Sequence, residues 1–303
     1  MVNMRPTFAS ELQEIMEKRE AYLLTGDLGF SVFDKLRKIH PKYFINMGVA
    51  EQSMVGIAAG LAQSGKEVYV YSIAPFLMYR AFEQIRNDIC YPNLPVRLIS
   101  VGAGLSYSDA GPTHHPIEDI AISTALPNLT VLSPSDPKEV EFFMKNMQKI
   151  KGPAYLRLSK KGEPLLHSLH NKMEIGKALK IAEGNDILIV STGAITKNAV
   201  DAAKMLGEDG ISCEILDVHT LKPFDDKAIT NSAAKKKLVV TIEENTGGFA
   251  SNVASALSLK GSPKILPLKL PDEFAHVSGS RDYMLDLYGL SASKIYERIK
   301  KAI

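Results

Sequence analysis

Residues Lys42 to Ile73 read KYFINMGVAEQSMVGIAAGLAQSGKEVYVYSI, and the three parts of this stretch decide the fold. KYFINMG is a short β-rich run, EVYVYSI is a second, and between them Glu51 to Ala62 carries small and apolar residues almost all round. A strand, a helix and a further strand in succession form a crossover unit, which joins parallel strands. The rhythm extends outward on both sides. AYLLTG precedes the unit, and VRLISVG, LTVLSPS and AYLRLS follow it. Pro137, after Ser135 and Asp136, opens an amphipathic helix reaching about Lys149, since proline suits a first helical turn. From Lys160 the period fails in KKGEPLLHSLHNKMEIG, a mixture of charge, Gly and Pro. It restarts with DILIVSTG, a helix from about Thr196 to Leu206, CEILDVHT, a helix near Asp226 to Lys235, and KLVVTIEE. A helix near Asn252 to Ser258, the strand KILPLKL and a last helix from Ser293 complete it. The expected fold class is α/β, with two mostly parallel-sheet domains over 1–165 and 177–303 and a linker over 166–176. Length agrees, because 303 residues exceed one ordinary core and suit two domains of roughly 150 residues each.

Composition narrows the function classes. A hydrophobic share of 45% with 23% charged residues is that of a chain that folds throughout. A net charge of +2 lacks the excess of Lys and Arg that marks nucleic-acid or membrane-surface proteins, so small molecules or protein are the expected partners. Cys90 and Cys213 are too few for a disulfide framework or a thiolate metal site, which fits a reduced cytoplasmic setting. The start, MVNMRPTFASELQEIMEKRE, has no apolar run of signal-peptide length. Lys235, Lys236 and Lys237 read as a solvated helix end that complements the dipole. His167 and His170 have a spacing that could clamp a metal, but no acidic or Cys partner stands nearby, so no metal site is expected.

Three segments carry chemistry: NMGVAEQSMVGIAAGLAQSG (Asn46 to Gly65), YSIAPFLMYRAFEQIRND (Tyr71 to Asp88) and SDAGPTHHPIED (Ser108 to Asp119). Glu51 opens a helix whose next turns are nearly all small or apolar. Taken alone it reads as an acid complementing a helix start, Phe76 and Phe82 as core, Arg80 as a structural ion pair, and His114 and His115 as satisfied loop residues.

Together and in order, AEQ, the aromatic run leading into RAFEQIR, and GPTH resemble the pyrimidine-binding domain of transketolases and 1-deoxy-xylulose-phosphate synthases. The second half resembles their C-terminal domain. The resemblance implies thiamine diphosphate as cofactor and two-carbon ketol transfer between sugars or sugar phosphates. Glu51 matches the glutamate that hydrogen-bonds N1′ of the aminopyrimidine; an apolar surround lets such a carboxyl hold and share a proton. Phe76 or Tyr79 supplies the aromatic wall, and Arg80 faces the substrate channel. His114 reaches the substrate oxygens at the reacting centre, with His115 behind it as a structural neighbour. Arg5, Ser31 and Lys160 fall where transketolases have an Arg, Ser and Arg phosphate clamp, Lys keeping the charge without the bidentate fork. Gly102 replaces a clamp His and Ala110 an Asp that touches the donor, which puts the usual pentose phosphate in doubt.

The resemblance also implies a partner. Family enzymes carry a pyrophosphate-binding domain whose GDG motif and downstream Asn hold Mg2+. No GDG occurs in this sequence, and the chain begins close to its first helix, so the missing domain is expected on a separate N-terminal subunit, in a dimer of heterodimers. Two rival readings are the β subunit of a 2-oxo-acid dehydrogenase, against which GPTH argues, and a non-catalytic regulatory subunit.

Overall fold

The computed structural model of the chain describes residues 3–160, 162–166, 168–169, 172–258 and 263–303. Strands β1 (Ala21–Thr25), β2 (Phe44–Asn46), β3 (Glu67–Ile73), β4 (Val96–Val101), β5 (Thr130–Leu132) and β6 (Ala154–Leu158) come from the first half. The second half supplies β7 (Leu179–Ala182), β8 (Ile187–Ser191), β9 (Cys213–Asp217), β10 (Thr220–Lys222), β11 (Leu238–Ile242) and β12 (Lys264–Leu268). Two mixed, mostly parallel sheets result, ordered β10-β5-β6-β4-β3-β1-β2 and β12-β11-β8-β9-β7. Among the described residues, only the edge pairings β10 with β5 and β7 with β9 are antiparallel.

Strand alternation explains the layers. Leu23, Tyr69, Tyr71, Ile99 and Leu156 face one side of the first sheet and meet Phe8 and Leu12 of the Met4–Lys18 helix and Phe143 of the Pro137–Asn146 helix. Leu24, Val68, Val70, Leu98 and Tyr155 face the other side and meet Met54, Val55 and Ala58 of the Glu51–Gln63 helix. Helices on both faces leave the central strands buried throughout, so ILIVS and LVVTI read as near-continuous apolar runs, while in VRLISV the buried Arg97 donates to the Gly152 and Ile150 carbonyls and Ser100 to the Tyr155 hydroxyl.

The second face's core continues into the second half through Leu188, Val190 and Phe249. Its sequence signals needed adjustment. CEILDVHT is broken after Asp217, and Thr220–Lys222 crosses to the edge of the first sheet. The helix expected near Asn252 begins at Gly248, because the Glu243 carboxylate accepts the Phe249 and Ala250 amides at 3.1 and 2.8 Å and fixes the start one turn earlier. A helix at Arg281–Leu287 and strand β7 add to the elements that periodicity marks. Lys236 is not a solvated helix-end charge: its side chain is 6% exposed and pairs with Glu214 at 2.8 Å. His167 and His170 lie outside the described residues. Cys90 and Cys213 are free and buried, and burial pushes each thiol up to about 11. No helix among the described residues is long and apolar enough to cross a membrane.

Buried polar groups join the halves. Arg157 donates to both Asp119 oxygens (2.7 and 2.9 Å) and to Asn245 (3.1 Å), and Asn245 donates back to Asp119 (2.8 Å). Ser135 donates through its hydroxyl to Asp217 (2.6 Å) and through its amide to Glu139 (2.7 Å). Burial, then the Asp136 charge, push the Glu139 carboxyl from 4.5 up to about 7. A raised acid holds its proton in the folded chain after the unfolded chain has lost it, so its contribution is full below about 4.5, falls as pH rises and is gone above about 7. Glu139→Gln, which titrates in neither state, should remove this slope. Chemical unfolding from pH 4.5 to 8 is expected to show wild type losing on the order of 3 kcal/mol more than the variant. Parallel curves would rule Glu139 out.

Candidate active site

The first sheet gathers residues that the sequence scatters. In a parallel sheet every strand ends at the same edge, and the connections leaving that edge form a crevice where the strand order reverses. Here the chain runs from β1 outward to β2 and then back across to β3 on the other side of β1. Glu51 follows β2, Phe76, Tyr79 and Arg80 follow β3, His114 lies in the connection after β4, and Lys160 follows β6. Arg5 sits at the start of the Met4–Lys18 helix that leads into β1.

Glu51 occupies the first turn of its helix and is 1% exposed. The Ser72 hydroxyl donates to its Oε1 at 3.0 Å, and the Arg80 guanidinium pairs with its Oε2. Asn46 prepares the entry to this helix by accepting the Asp27 and Gly48 amides at 3.0 Å each. Gly26 permits the approach, since a Cβ there would stand 3.2 Å from Glu51 Oε1. A buried carboxylate at a helix start, with one hydroxyl donor and one cation, is positioned on both oxygens.

The segment after β3 is wound more widely than an α-helix over Phe76–Arg80 and again over Ile85–Cys90. Such π-turns re-aim side chains and recur at functional sites. The Arg80 guanidinium lies over the Phe76 ring, 4.9 Å from its centroid, and the His114 ring meets Phe76 edge to face at 5.1 Å. Tyr79 points elsewhere. Its hydroxyl donates to Glu118 at 2.6 Å and accepts the Glu118 amide at 3.3 Å, tying this segment to the one after GPTH. Phe82 packs against the core. His115 is buried, donates through Nε2 to the Tyr107 carbonyl at 3.1 Å, and is held below the usual imidazole range by burial. His114 stands at the surface of the cluster, its Nδ1 3.0 Å from the Thr113 hydroxyl.

Of the sequence candidates, Glu51, Phe76, Arg80 and His114 thus form one contiguous group, to which the structure adds Ser72 and Tyr107. Tyr107 lies 6.0 Å from His114 ring to ring, and Lys160 sits over its face at 4.3 Å while pairing with Asp109 at 3.3 Å. Arg5 donates to the Tyr71 hydroxyl at 3.2 Å. Ser31 is exposed, with a left-handed backbone and its hydroxyl donating to the Phe30 carbonyl at 2.6 Å. Among the described residues no group of three or more His, Cys, Asp or Glu is arranged to hold a metal ion.

Residues 1–163 match the transketolase pyrimidine-binding domain, and residues 176–295 match the transketolase C-terminal domain. The chain belongs to the transketolase family. It is 34% identical to an apulose-4-phosphate transketolase subunit of Actinobacillus succinogenes, over 86% of this chain and 85% of that one. It is 32% identical to a 6-deoxy-6-sulfo-D-fructose transketolase subunit of a Clostridium species, over 96% and 92%. A solved split-gene transketolase, described as an inactive beta4 tetramer, superimposes with a TM-score of 0.88 at 34% identity, covering 99% of this chain and 98% of that chain. In contrast, this chain spans 42% of a 1-deoxy-D-xylulose-5-phosphate synthase of Dictyoglomus turgidum, at 35% identity.

Gly102 and Ala110, where the resemblance implies a His and an Asp, have a definite physical setting. Gly102 has φ +97°, and a Cβ there would lie 2.4 Å from Tyr107 Cδ2, so the Tyr107 ring fills the space next to it. Ala110 ends a short turn, Ser108–Ala110, with its methyl group exposed beside GPTH. Tyr107 itself had no signal in the sequence beyond its place between Gly102 and the GPTH segment.

Proposed function

We propose that this chain is the catalytic-glutamate subunit of a split, thiamine-diphosphate-dependent transketolase, transferring a two-carbon ketol unit between sugars or sugar phosphates. The observation that carries the reading is the Glu51 carboxyl, buried at a helix start beside Ser72 and Arg80, with the Phe76 ring under the same Arg80 guanidinium. An aminopyrimidine suits this cluster: Glu51 would meet its ring nitrogen, and Phe76, rather than Tyr79, would take its face, since the Tyr79 hydroxyl is committed to Glu118. Thiamine diphosphate supplies a thiazolium that stabilises negative charge on the carbon left by bond cleavage. Glu51 holds and moves the proton at the pyrimidine nitrogen, and Ser72 orients its carboxyl. His114, at the surface of the group, donates to substrate oxygens or moves a proton there near neutral pH.

The sugar end is assigned to Arg5, Ser31, Arg80 and Lys160, with Tyr107 in place of a clamp histidine. Mg2+ and the diphosphate are assigned to an N-terminal subunit carrying the pyrophosphate-binding domain, in a cytoplasmic dimer of heterodimers. The Glu51–Gln63 helix supports a partner there. Its outer face exposes Ile57 and Gly60, and added side-chain carbon at Gly56 or Gly60 would meet nothing within 4 Å.

The test is reconstitution. Calorimetry with thiamine diphosphate and Mg2+ is expected to give weak or undetectable binding by this chain alone and tight binding once the partner is added. The reconstituted pair should then form ketol-transfer products from ketoses screened with and without phosphate. Tight Mg2+-dependent binding by the chain alone would overturn the split-site reading, and a reconstituted pair that binds cofactor yet transfers no ketol unit would overturn the activity.

A further inference from the structure

The Glu51 carboxylate offers two acceptors of different accessibility. Oε1 faces inward, against the Ser72 hydroxyl and the Gly26 backbone, where an added Cβ would already approach to 3.2 Å. Oε2 is covered by the Arg80 side chain, which is 41% exposed while Glu51 itself is 1% exposed. A group arriving from solvent therefore finds Arg80 on Oε2. The same guanidinium lies over the Phe76 ring at 4.9 Å. A planar cation that donates to a carboxylate while lying on an aromatic face makes the two contacts that a protonated aminopyrimidine would make.

We propose that Arg80 is a displaceable stand-in for the cofactor's aminopyrimidine. It is a positioning residue that compensates the Glu51 charge and keeps the Phe76 ring in place, and it yields both contacts when the pyrimidine enters. This rests on the reading of Glu51 and Phe76 given above. Competition for one acceptor lowers apparent cofactor affinity by the weight of the competing pair. Because Arg80 is partly solvated, that weight is modest. Released from Glu51, the guanidinium is free to meet the sugar substrate, so its two assignments occur in sequence.

The experiment is cofactor binding to the assembled two-subunit complex with saturating Mg2+, using thiamine diphosphate as titrant. Arg80→Met removes the competing donor and is expected to lower Kd by about fivefold, corresponding to roughly 1 kcal/mol. Arg80→Lys restores a cation able to reach Oε2 and is expected to return Kd to within about twofold of wild type, which a merely structural role for the arginine would not do. An unchanged or raised Kd in Arg80→Met overturns the proposal. A second readout needs no variant: in a crystal structure of the loaded complex, Arg80 still bonded to Glu51 Oε2 would overturn it as well. Glu51→Gln measured in parallel separates the two readings. If that substitution leaves both Kd and cofactor C2-proton exchange at wild-type values, the assignment of Glu51 fails; if it alters them while Arg80→Met does nothing, only the stand-in fails.

Discussion

Replacing Glu51 by Gln is expected to slow exchange of the bound cofactor's C2 proton for deuterium by about 10²-fold or more, while the chain still folds and assembles. The amide is isosteric, so the Ser72 hydroxyl keeps an oxygen acceptor at the Oε1 position. Arg80 loses a carboxylate but, being 41% exposed, can turn to water rather than remain buried and unpaired. What the amide cannot do is give a proton to a ring nitrogen and take it back, which is the step assigned to this position. The measurement is quenched-flow exchange in the reconstituted complex, read by proton NMR, with thermal unfolding of the isolated chain as the control for fold. Exchange at the wild-type rate would remove Glu51 from the proposed mechanism. Loss of assembly together with loss of exchange would assign the residue a structural role instead.

Placing a side chain at Gly102 is expected to be the most damaging small change on the side of the cluster proposed to meet the sugar. Two costs add. The backbone is at φ +97°, a region that residues with a Cβ occupy at a cost of about 1–3 kcal/mol. The new carbon would also stand 2.4 Å from Tyr107 Cδ2, an overlap that demands movement of a ring in contact with His114 and Lys160 and costs about 1–3 kcal/mol more. Gly102→Ala should therefore lower unfolding free energy by roughly 2–6 kcal/mol in urea titrations. Combining it with Tyr107→Ala should recover the overlap cost and leave the backbone cost, giving a coupling energy of about 1–3 kcal/mol in a double-mutant cycle. Additive effects would mean that Tyr107 does not fill this space. The result bears on specificity, because a histidine at position 102, as in the transketolase clamp, and the Tyr107 ring in its present place exclude one another. Together with the methyl group of Ala110, this would give the proposed sugar side a different wall from the one that the resemblance to transketolases implies.

Much of this architecture was legible because it depends on local periodicity. KYFINMG, the Glu51–Ala62 stretch and EVYVYSI announce strand, helix and strand through alternation and small-residue packing, and these elements stand where expected. The helix after Pro137 was equally clear, since Asp136 and Pro137 are local start signals and Asp136 does accept the Lys138 and Glu139 amides. AEQ, the aromatic-Arg run and GPTH also pointed to one cofactor chemistry, because a motif is a statement about neighbours in sequence.

What the sequence by itself determined, then, was the alternating α/β plan, the family motifs and the identity of Glu51, Phe76, Arg80 and His114 as candidates. Tertiary structure alone decided how they meet. Strand order brings connections after β2, β3, β4 and β6 to one edge, and no local pattern records that order. The crossing of Thr220–Lys222 into the first sheet, the capping of the Gly248 helix by Glu243 and the burial of Lys236 against Glu214 depend on partners distant in the chain or on how elements pack. Ser72 and Tyr107 were missed for the same reason: a hydroxyl on a buried strand and a ring in a loop gain meaning only from the carboxylate and the glycine beside them. The pairing of Arg80 with Glu51 arises because a charge nearly removed from water must find its counter-charge through space, and periodicity along the chain carries no information about that distance.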